Sequence, residues 1–462
     1  MGYRLRQIAA ESKFSSTLQL EAIGQAVPMS EIKAALQESG VQEVRERKLS
    51  MRVMMLLVIA MHIYTRLSLG EVLGQIARGL RFIWPHPDYA VPKDSAISYR
   101  RYQLGARPLV NLFHRVCRPL ATPETPGAFM FGLRLMAIDG TVEDVPDTPA
   151  NVKAFGRHTG SRGESAFPQL QGVYLAECGT HAIVDAGFWP CHTSERVGGF
   201  RMLRSVEKGM LLMWDRGFHD FDMLVQTRKR GAHALGRLPA HVKPTRVRTL
   251  ADGSYLAYLH PTEYQRRKVG EHLLVRIVEY TILDPALPGY GEVHRLVTTL
   301  LDPARYPALE LAWAYHERWE IEIIIDEVDT HQRLAGRPLR SLKPLGVIQE
   351  LYGLLIAHYA IRFLMHAAAL QAAIDPDRVS FVHALNVIHG AIPEFQMTTP
   401  EQLPQLYARL LRDIVDRLLP ERRLRSNPRV VKRKMSKFHL KRAQHHAWPQ
   451  PTLPFHQAVA VI

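Results

Sequence analysis

The stretch YHERWEIEIIIDEVDTHQ, residues 315–332, sets Glu317, Glu320, Glu322, Asp326, Glu327 and Asp329 among isoleucines. Read as one helix at about 100° per residue, it places Tyr315, Arg318, Glu322, Asp326 and Asp329 within roughly 80° of one another. Glu317, Glu320 and Glu327 fall on the opposite side. A helix with apolar flanks is mostly buried, and a buried carboxylate needs a cation, hydrogen bonds or a metal. One reading of this face is an Arg318–Glu322 ion pair at i,i+4 spacing with solvated acids around it. The other reading brings in acids from elsewhere. Asp139 closes the apolar run LRLMAID, and Asp215 closes GMLLMWD. An isolated aspartate at a strand end is ordinarily a turn residue. Two such ends and one buried helical glutamate, however, supply hard carboxylate oxygens from neighbouring elements. That is the donor set of Mg2+ or Mn2+, and two such ions can clamp an in-line phosphoryl displacement.

The elements that must position these acids follow from the hydrophobic pattern. EIKAALQESG, SMRVMMLLVIAMHIY and SLGEVLGQIARGL predict helices within residues 1–120, and ATPETPG at 121–127 breaks the pattern as a linker. LRLMAIDG then predicts a strand, with Asp139 emerging at its end. QGVYLAECGTHAIVDAGFW predicts a hairpin turning at Gly179-Thr180, and Thr193 or Ser194 starts a helix. GMLLMWDRGF is a buried strand. This order makes an α/β layered pattern. RVRTLADGSYLAYL predicts a hairpin about Asp252-Gly253, and HLLVRIVEYTIL and VHRLVTTLLD are further strands. Helices resume with residues 309–328 and 347–370. Asp144 and Asp147 read as a solvated hairpin and Asp185 as solvent-facing. Arg216 is equally suited to DNA or to an acid.

Composition narrows the substrate. The chain has 462 residues, room for two or three domains, with Lys+Arg 59 against Asp+Glu 44, a net charge of +15. That excess attracts polyanions, with nucleic acid first and an anionic membrane surface second. Ten Lys/Arg lie between Arg228 and Lys268, and ten more in residues 421–442. The run that includes Lys432, Arg433 and Lys434 predicts salt-sensitive phosphate contacts. Cys117, Cys178 and Cys191 show no paired spacing, which excludes a disulfide framework and points to a reducing cytoplasm. The apolar run at 53–64 is shorter than the roughly 20 residues of a membrane span, so a soluble protein is expected. The 22 histidines show no HExxH or paired zinc spacing.

Four blocks of the chain resemble the DDE transposases of bacterial insertion sequences, in the insertion-sequence-four group. They are residues 137–183, 209–224, 315–362 and 427–438. Residues 15–120 also resemble that group's helical N-terminal domain. The resemblance implies a ribonuclease-H-like catalytic core with a β-rich insertion domain, preceded by a helical domain and followed by helices and a basic tail. The implied boundaries are 1–120, 128–225, 226–300, 301–395 and 396–462. It implies Asp139, Asp215 and Glu322 as catalytic ligands of two Mg2+ (or Mn2+) ions, DNA as partner, and a homodimer on DNA. The group's signature around the glutamate is Y-x2-R-x3-E-x6-K, which Tyr315, Arg318 and Glu322 match as phosphate holders and ligand. Asp329 stands where the group has lysine and would repel a phosphate, leaving Arg333 to substitute. His294 stands where hairpin-forming members carry an aromatic. Two rival readings use the same residues: a metal-dependent nuclease without strand transfer, and an impaired DNA-binding remnant.

Overall fold

A computed structural model describes residues 3–43, 45, 47–86, 91–160, 163–262, 272–287, 289–333, 336–420, 430–431, 439–440, 442–443 and 451–462. The chain divides into two compact units. The first comprises residues 1–128, 139–202 and 320–420; the second comprises 129–138, 203–319 and 421–462. In chain order the main helices and strands begin with α1 (Met29–Glu38), α2 (Met51–Ala60), α3 (Leu69–Ile76), α4 (Asp94–Leu104) and α5 (Arg107–Val116). Then come β1 (Leu133–Asp144), β2 (Gln169–Glu177), β3 (Ile183–Pro190), α6 (Glu195–Met202), β4 (Met210–Trp214), α7 (Phe221–Lys229) and β5 (His233–Arg237). The series continues with β6 (Thr245–Thr249), β7 (Tyr255–Leu259), β8 (Leu273–Ile282), β9 (His294–Thr298), α8 (Ala308–His316) and α9 (Glu320–Asp326). It closes with α10 (Pro344–Ala372), α11 (Phe381–Met397), α12 (Leu403–Val415) and β10 (Val459–Val461).

In the first unit α2 is apolar nearly all round and accordingly buried, capped by Ser50, whose Oγ accepts from the Val53 amide at 3.3 Å. Ser68 and Glu71 close a capping box on α3. Helix α10 is long and apolar enough to cross a membrane, yet 83% of its most apolar window is buried inside the protein. It carries Glu350 and Arg362 into that interior, which marks it as the unit's core helix. The hairpin β2–β3 pairs antiparallel from Leu170↔Pro190 to Ala176↔Ile183, as the turn at Gly179-Thr180 predicts. The second half of β1 runs beside it, with Gln171 Nε2 donating to the Thr141 carbonyl at 3.0 Å. The expected linker is indeed non-helical but is not loose. Buried Thr125 bonds His366 Nε2 at 3.0 Å, and Glu177 accepts from the Leu120 and Ala121 amides.

In the second unit the first half of β1 lies parallel to β4, in register from Arg134↔Met210 to Ala137↔Met213, and β4 lies parallel to β5. β9 pairs antiparallel with β5 and with β8, which continues through β7 to β6. Gly236 is obligatory here, since a Cβ on it would lie 2.4 Å from Trp214 Nε1. The Asp252-Gly253 turn forms as expected, and Asp252 ties it down. Its carboxylate accepts from Ser254 Oγ, from the Ala308 amide at 2.9 Å and from fully buried Arg276.

Three expectations are corrected. Strand β1 runs five residues past Asp139, because Thr141, Glu143 and Val145 continue a buried alternation, so Asp139 lies within the strand and not at its end. Residues 315–332 do not form one helix: α8 gives way to a 3-10 turn at Glu317–Trp319, then α9, then a π-helical turn at Glu327–Gln332. The wider π turn carries Asp329 away from the row expected from a uniform 100° step. Asp185 is fully buried and faces no solvent; its carboxylate accepts from the Ala186 amide at 2.8 Å and lies 3.9 Å from His114.

Candidate active site

The second unit brings Asp215, Tyr315 and Arg318 together. Asp215 follows β4, whose five residues are all buried, so the chain leaves the core at the carboxylate. Its Oδ1 accepts from the Gly217 amide at 2.8 Å and caps the short turn Arg216–Phe218. Arg216 itself is exposed. The Tyr315 hydroxyl, on buried α8, donates to the carbonyl of Trp214 at 3.3 Å, the peptide that joins Asp215 to the strand. Burial raises the Tyr315 phenol; Arg318 and Arg237 pull it down, and Asp215 pushes it up. The guanidinium of buried Arg318 lies 5.8 Å from the Tyr315 ring and 5.5 Å from that of Trp319, within cation–π range. Arg237 was not visible as a candidate from spacing, because it closes β5 nearly eighty residues before Tyr315. It donates to His294 Nδ1 at 2.7 Å, and the His294 ring stacks on Tyr280 at 5.0 Å and 22°. Burial and then Arg237 hold the His294 imidazole below its ordinary range, so it is neutral at pH 7. An acid, two guanidiniums and a neutral imidazole thus share one neighbourhood, in which the guanidiniums are suited to an anionic group.

In the first unit Asp139 is half-buried on β1 and its Oδ1 accepts from the Gly140 amide at 2.8 Å. Gly140 packs close beside it: a Cβ would meet Glu195 Oε1 at 2.8 Å and Gln171 Nε2 at 3.0 Å, so those two side chains would have to shift. Glu195, the first residue of α6, is a carboxylate near this backbone that the sequence did not single out. Glu322 is half-buried on α9. Lys432, Arg433 and Lys434 lie outside the described residues.

Arg333 and Asp329 occupy a different cluster of the first unit. Arg333 NH1 donates to Glu143 Oε2 and lies 3.5 Å from Asp329 Oδ1, while Thr141 Oγ1 donates to Asp329 Oδ2 at 3.2 Å. Arg333 is therefore paired with two carboxylates of its own unit. Burial pushes the Asp329 carboxyl up to about 8, and Glu143 adds to the rise against Arg333. Asp329 is thus protonated in the folded protein where the unfolded chain, above its usual pKa, has lost the proton. Stability is then fully favoured at acid pH and falls as pH rises from about 4 towards 8. Asp329→Asn is expected to flatten that slope, gaining on the order of 1–3 kcal/mol over the parent at pH 8 relative to pH 5, read from denaturant midpoints at both pH values.

A second buried polar cluster lies behind α9. Glu320 and Glu327, expected on the opposite side from Glu322, are buried and not solvated. Arg362 of α10 donates from Nε to Glu327 Oε2 at 2.9 Å and from NH2 to Oε1. His358 Nε2 lies 3.1 Å from Glu327 Oε2, and burial then His181 push His358 down to about 3, so it is neutral. His181, in the turn between β2 and β3 at φ 60°, sets Nδ1 3.2 Å from Glu327 Oε1 and Nε2 3.3 Å from Asp377 Oδ1.

Comparison with known proteins follows this geometry. Residues 17–114 match the family described as insertion element 4 transposase N-terminal, and residues 131–360 the family described as transposase DDE domain. The chain is 28% identical over 430 residues to the transposase InsG for insertion sequence element IS4 of Escherichia coli (strain K12), covering 91% of this chain and 93% of that one. It is 28% identical over 147 residues to the putative transposase InsZ of the same organism, 32% of this chain and 49% of that one. A piggyBac transposase synaptic complex with hairpin DNA aligns at 9% identity with a TM-score of 0.40, over 89% of this chain and 88% of that one.

Proposed function

The chain belongs to the insertion-sequence-four group of DDE transposases, and from that membership we propose that it binds the ends of its own element, cuts them and joins the freed 3′ ends to target DNA. The observation that carries this reading is the match over residues 17–114 and 131–360, within which Asp139, Asp215 and Glu322 all fall. Strand connectivity supports a ribonuclease-H-like core: β1 has the antiparallel hairpin β2–β3 in one unit, and β4 then β5 in parallel in the other.

The donor set fits hard divalent cations. Asp139, Asp215 and Glu322 offer carboxylate oxygens alone, and all three are half-buried, open to a charged substrate. Two Mg2+ or Mn2+ ions held there would supply charge to the attacking and leaving oxygens of the displaced phosphodiester. The chain's own residues do the rest. Tyr315 holds the Trp214 carbonyl and so fixes where Asp215 leaves the strand. Arg318, braced against Tyr315 and Trp319, neutralises a phosphate beside the cut. The same phosphate-holding role falls to Arg237, in place of Arg333. Pairing two element ends calls for two copies, so the complex on DNA is a homodimer acting in the cytoplasm. Arg318→Ala is expected to slow end cleavage by roughly 10²-fold through misplaced phosphate, while binding of end DNA, measured by mobility shift, weakens less. The reading as a whole is tested by incubating end-sequence DNA, target plasmid and Mg2+ with the protein. Joined product is the expected result, and nicked DNA without joining would make the protein a nuclease instead.

A further inference from the structure

We propose that the first unit contains a divalent-cation site of the zinc class, separate from the three catalytic acids, formed by His181 Nε2, Glu320 Oε2 and Asp377 Oδ1. The three donor atoms all lie within 4.8 Å of one another, and they come from three elements far apart in the chain. His181 sits in the turn joining β2 and β3, Glu320 opens α9, and Asp377 lies in the short helical turn Pro376–Arg378 that follows α10. His181 Nε2 is 3.3 Å from the Asp377 oxygen and 3.8 Å from the Glu320 oxygen. Donors bound tetrahedrally at zinc's usual 2.0–2.2 Å stand about 3.4 Å apart, so the cluster has the spacing of a zinc coordination shell.

The surroundings are those of a metal-bound imidazole. A ligating histidine characteristically gives its other ring N–H to a carboxylate, which fixes the tautomer and sharpens its basicity. Here His181 Nδ1 faces both Glu327, at 3.2 Å, and the Arg362 guanidinium, and Glu327 is itself held by Arg362 and His358. Glu320, Glu327 and Asp377 together bring three carboxylates against the one Arg362 guanidinium, with His358 neutral. The excess of two negative charges in a largely buried cluster is what a dication balances. The mixed nitrogen and oxygen set selects Zn2+, or Mn2+ after it, over the Mg2+ preferred by an all-oxygen site. Water completes the fourth position. The ion would pin the β2–β3 turn, the start of α9 and the end of α10 to one point, without touching substrate.

The alternative that the same atoms allow is an imidazolium of His181 shared among the three carboxylates, with no metal. Metal content separates the two. The full chain carrying Asp139→Asn, Asp215→Asn and Glu322→Gln together removes the catalytic ligands and leaves this cluster intact. After purification in buffer with trace Zn2+ and desalting, elemental analysis is expected to find about one zinc per chain. The Co2+-loaded protein is expected to show visible bands of a four-coordinate ion. Adding Asp377→Asn, a partly exposed position, is expected to lower the zinc content at least tenfold, and Glu327→Gln to weaken zinc affinity by roughly 10–100-fold. Less than about a tenth of a zinc per chain in the parent, or an unchanged content with Asp377→Asn, overturns the proposal. Either result is independent of whether the protein cuts or joins DNA.

Discussion

Asp139→Asn, Asp215→Asn or Glu322→Gln, each alone, is expected to abolish end cleavage and joining, with losses on the order of 10³-fold or more, while end DNA is still bound. Each replacement is nearly isosteric and removes one negative charge from the site proposed to hold cations against a phosphodiester. Asparagine can still accept from the Gly140 amide as Asp139 does, and from the Gly217 amide as Asp215 does, so the local backbone keeps its bonds. The fold therefore stays and the chemistry goes. Single-turnover cleavage of labelled end DNA, read beside a mobility shift, separates the two effects. Near-normal cleavage by Asp139→Asn would remove this residue from the catalytic set.

The largest expected loss of stability comes from Arg362→Met. Arg362 is 3% exposed, and its guanidinium is the cation that accompanies buried Glu327. Burial lowers the Arg362 guanidinium to about 10, with Asp377 and Glu320 opposing the shift, so it remains charged at neutral pH. Methionine fills much the same volume but strands the Glu327 carboxylate in the interior. Removing one partner of such a pair costs about 3–5 kcal/mol. Thermal unfolding should drop by several degrees, and the loss should shrink when Glu327→Gln is added, since the stranded charge is then gone. Full additivity of the two changes would show that the pair does not act as a unit.

How much of this was legible beforehand depends on the range of the interaction. Apolar runs bounded by turn residues placed β2, β3, β4 and the Asp252-Gly253 hairpin, because strands and turns of this kind are set by neighbours a few positions away. The same local rule misjudged β1. The apolar run LRLMAI stops at Asp139, but the strand continues because Thr141, Glu143 and Val145 are buried by partners distant in sequence. It misjudged residues 315–332 as well, since a uniform helical step cannot foresee the 3-10 turn and the π turn that the surrounding packing imposes. Asp329 was the residue most in need of explanation. The structure supplies one: it is a carboxyl held up to about 8 beside Glu143 and Arg333, and not a misplaced phosphate contact.

By itself, then, the sequence determined the acids, the basic excess and the membership in the group, because residue types and their spacing are written in one dimension. The tertiary structure decided what each charge does. Arg333 is spent on Glu143, Arg237 joins Tyr315 and Arg318 around Asp215, and Glu320 and Glu327 turn inward to His181 and Arg362. The physical reason is that a side chain's charge is governed by burial and by partners within a few ångströms, and those partners lie up to 190 positions apart in the chain.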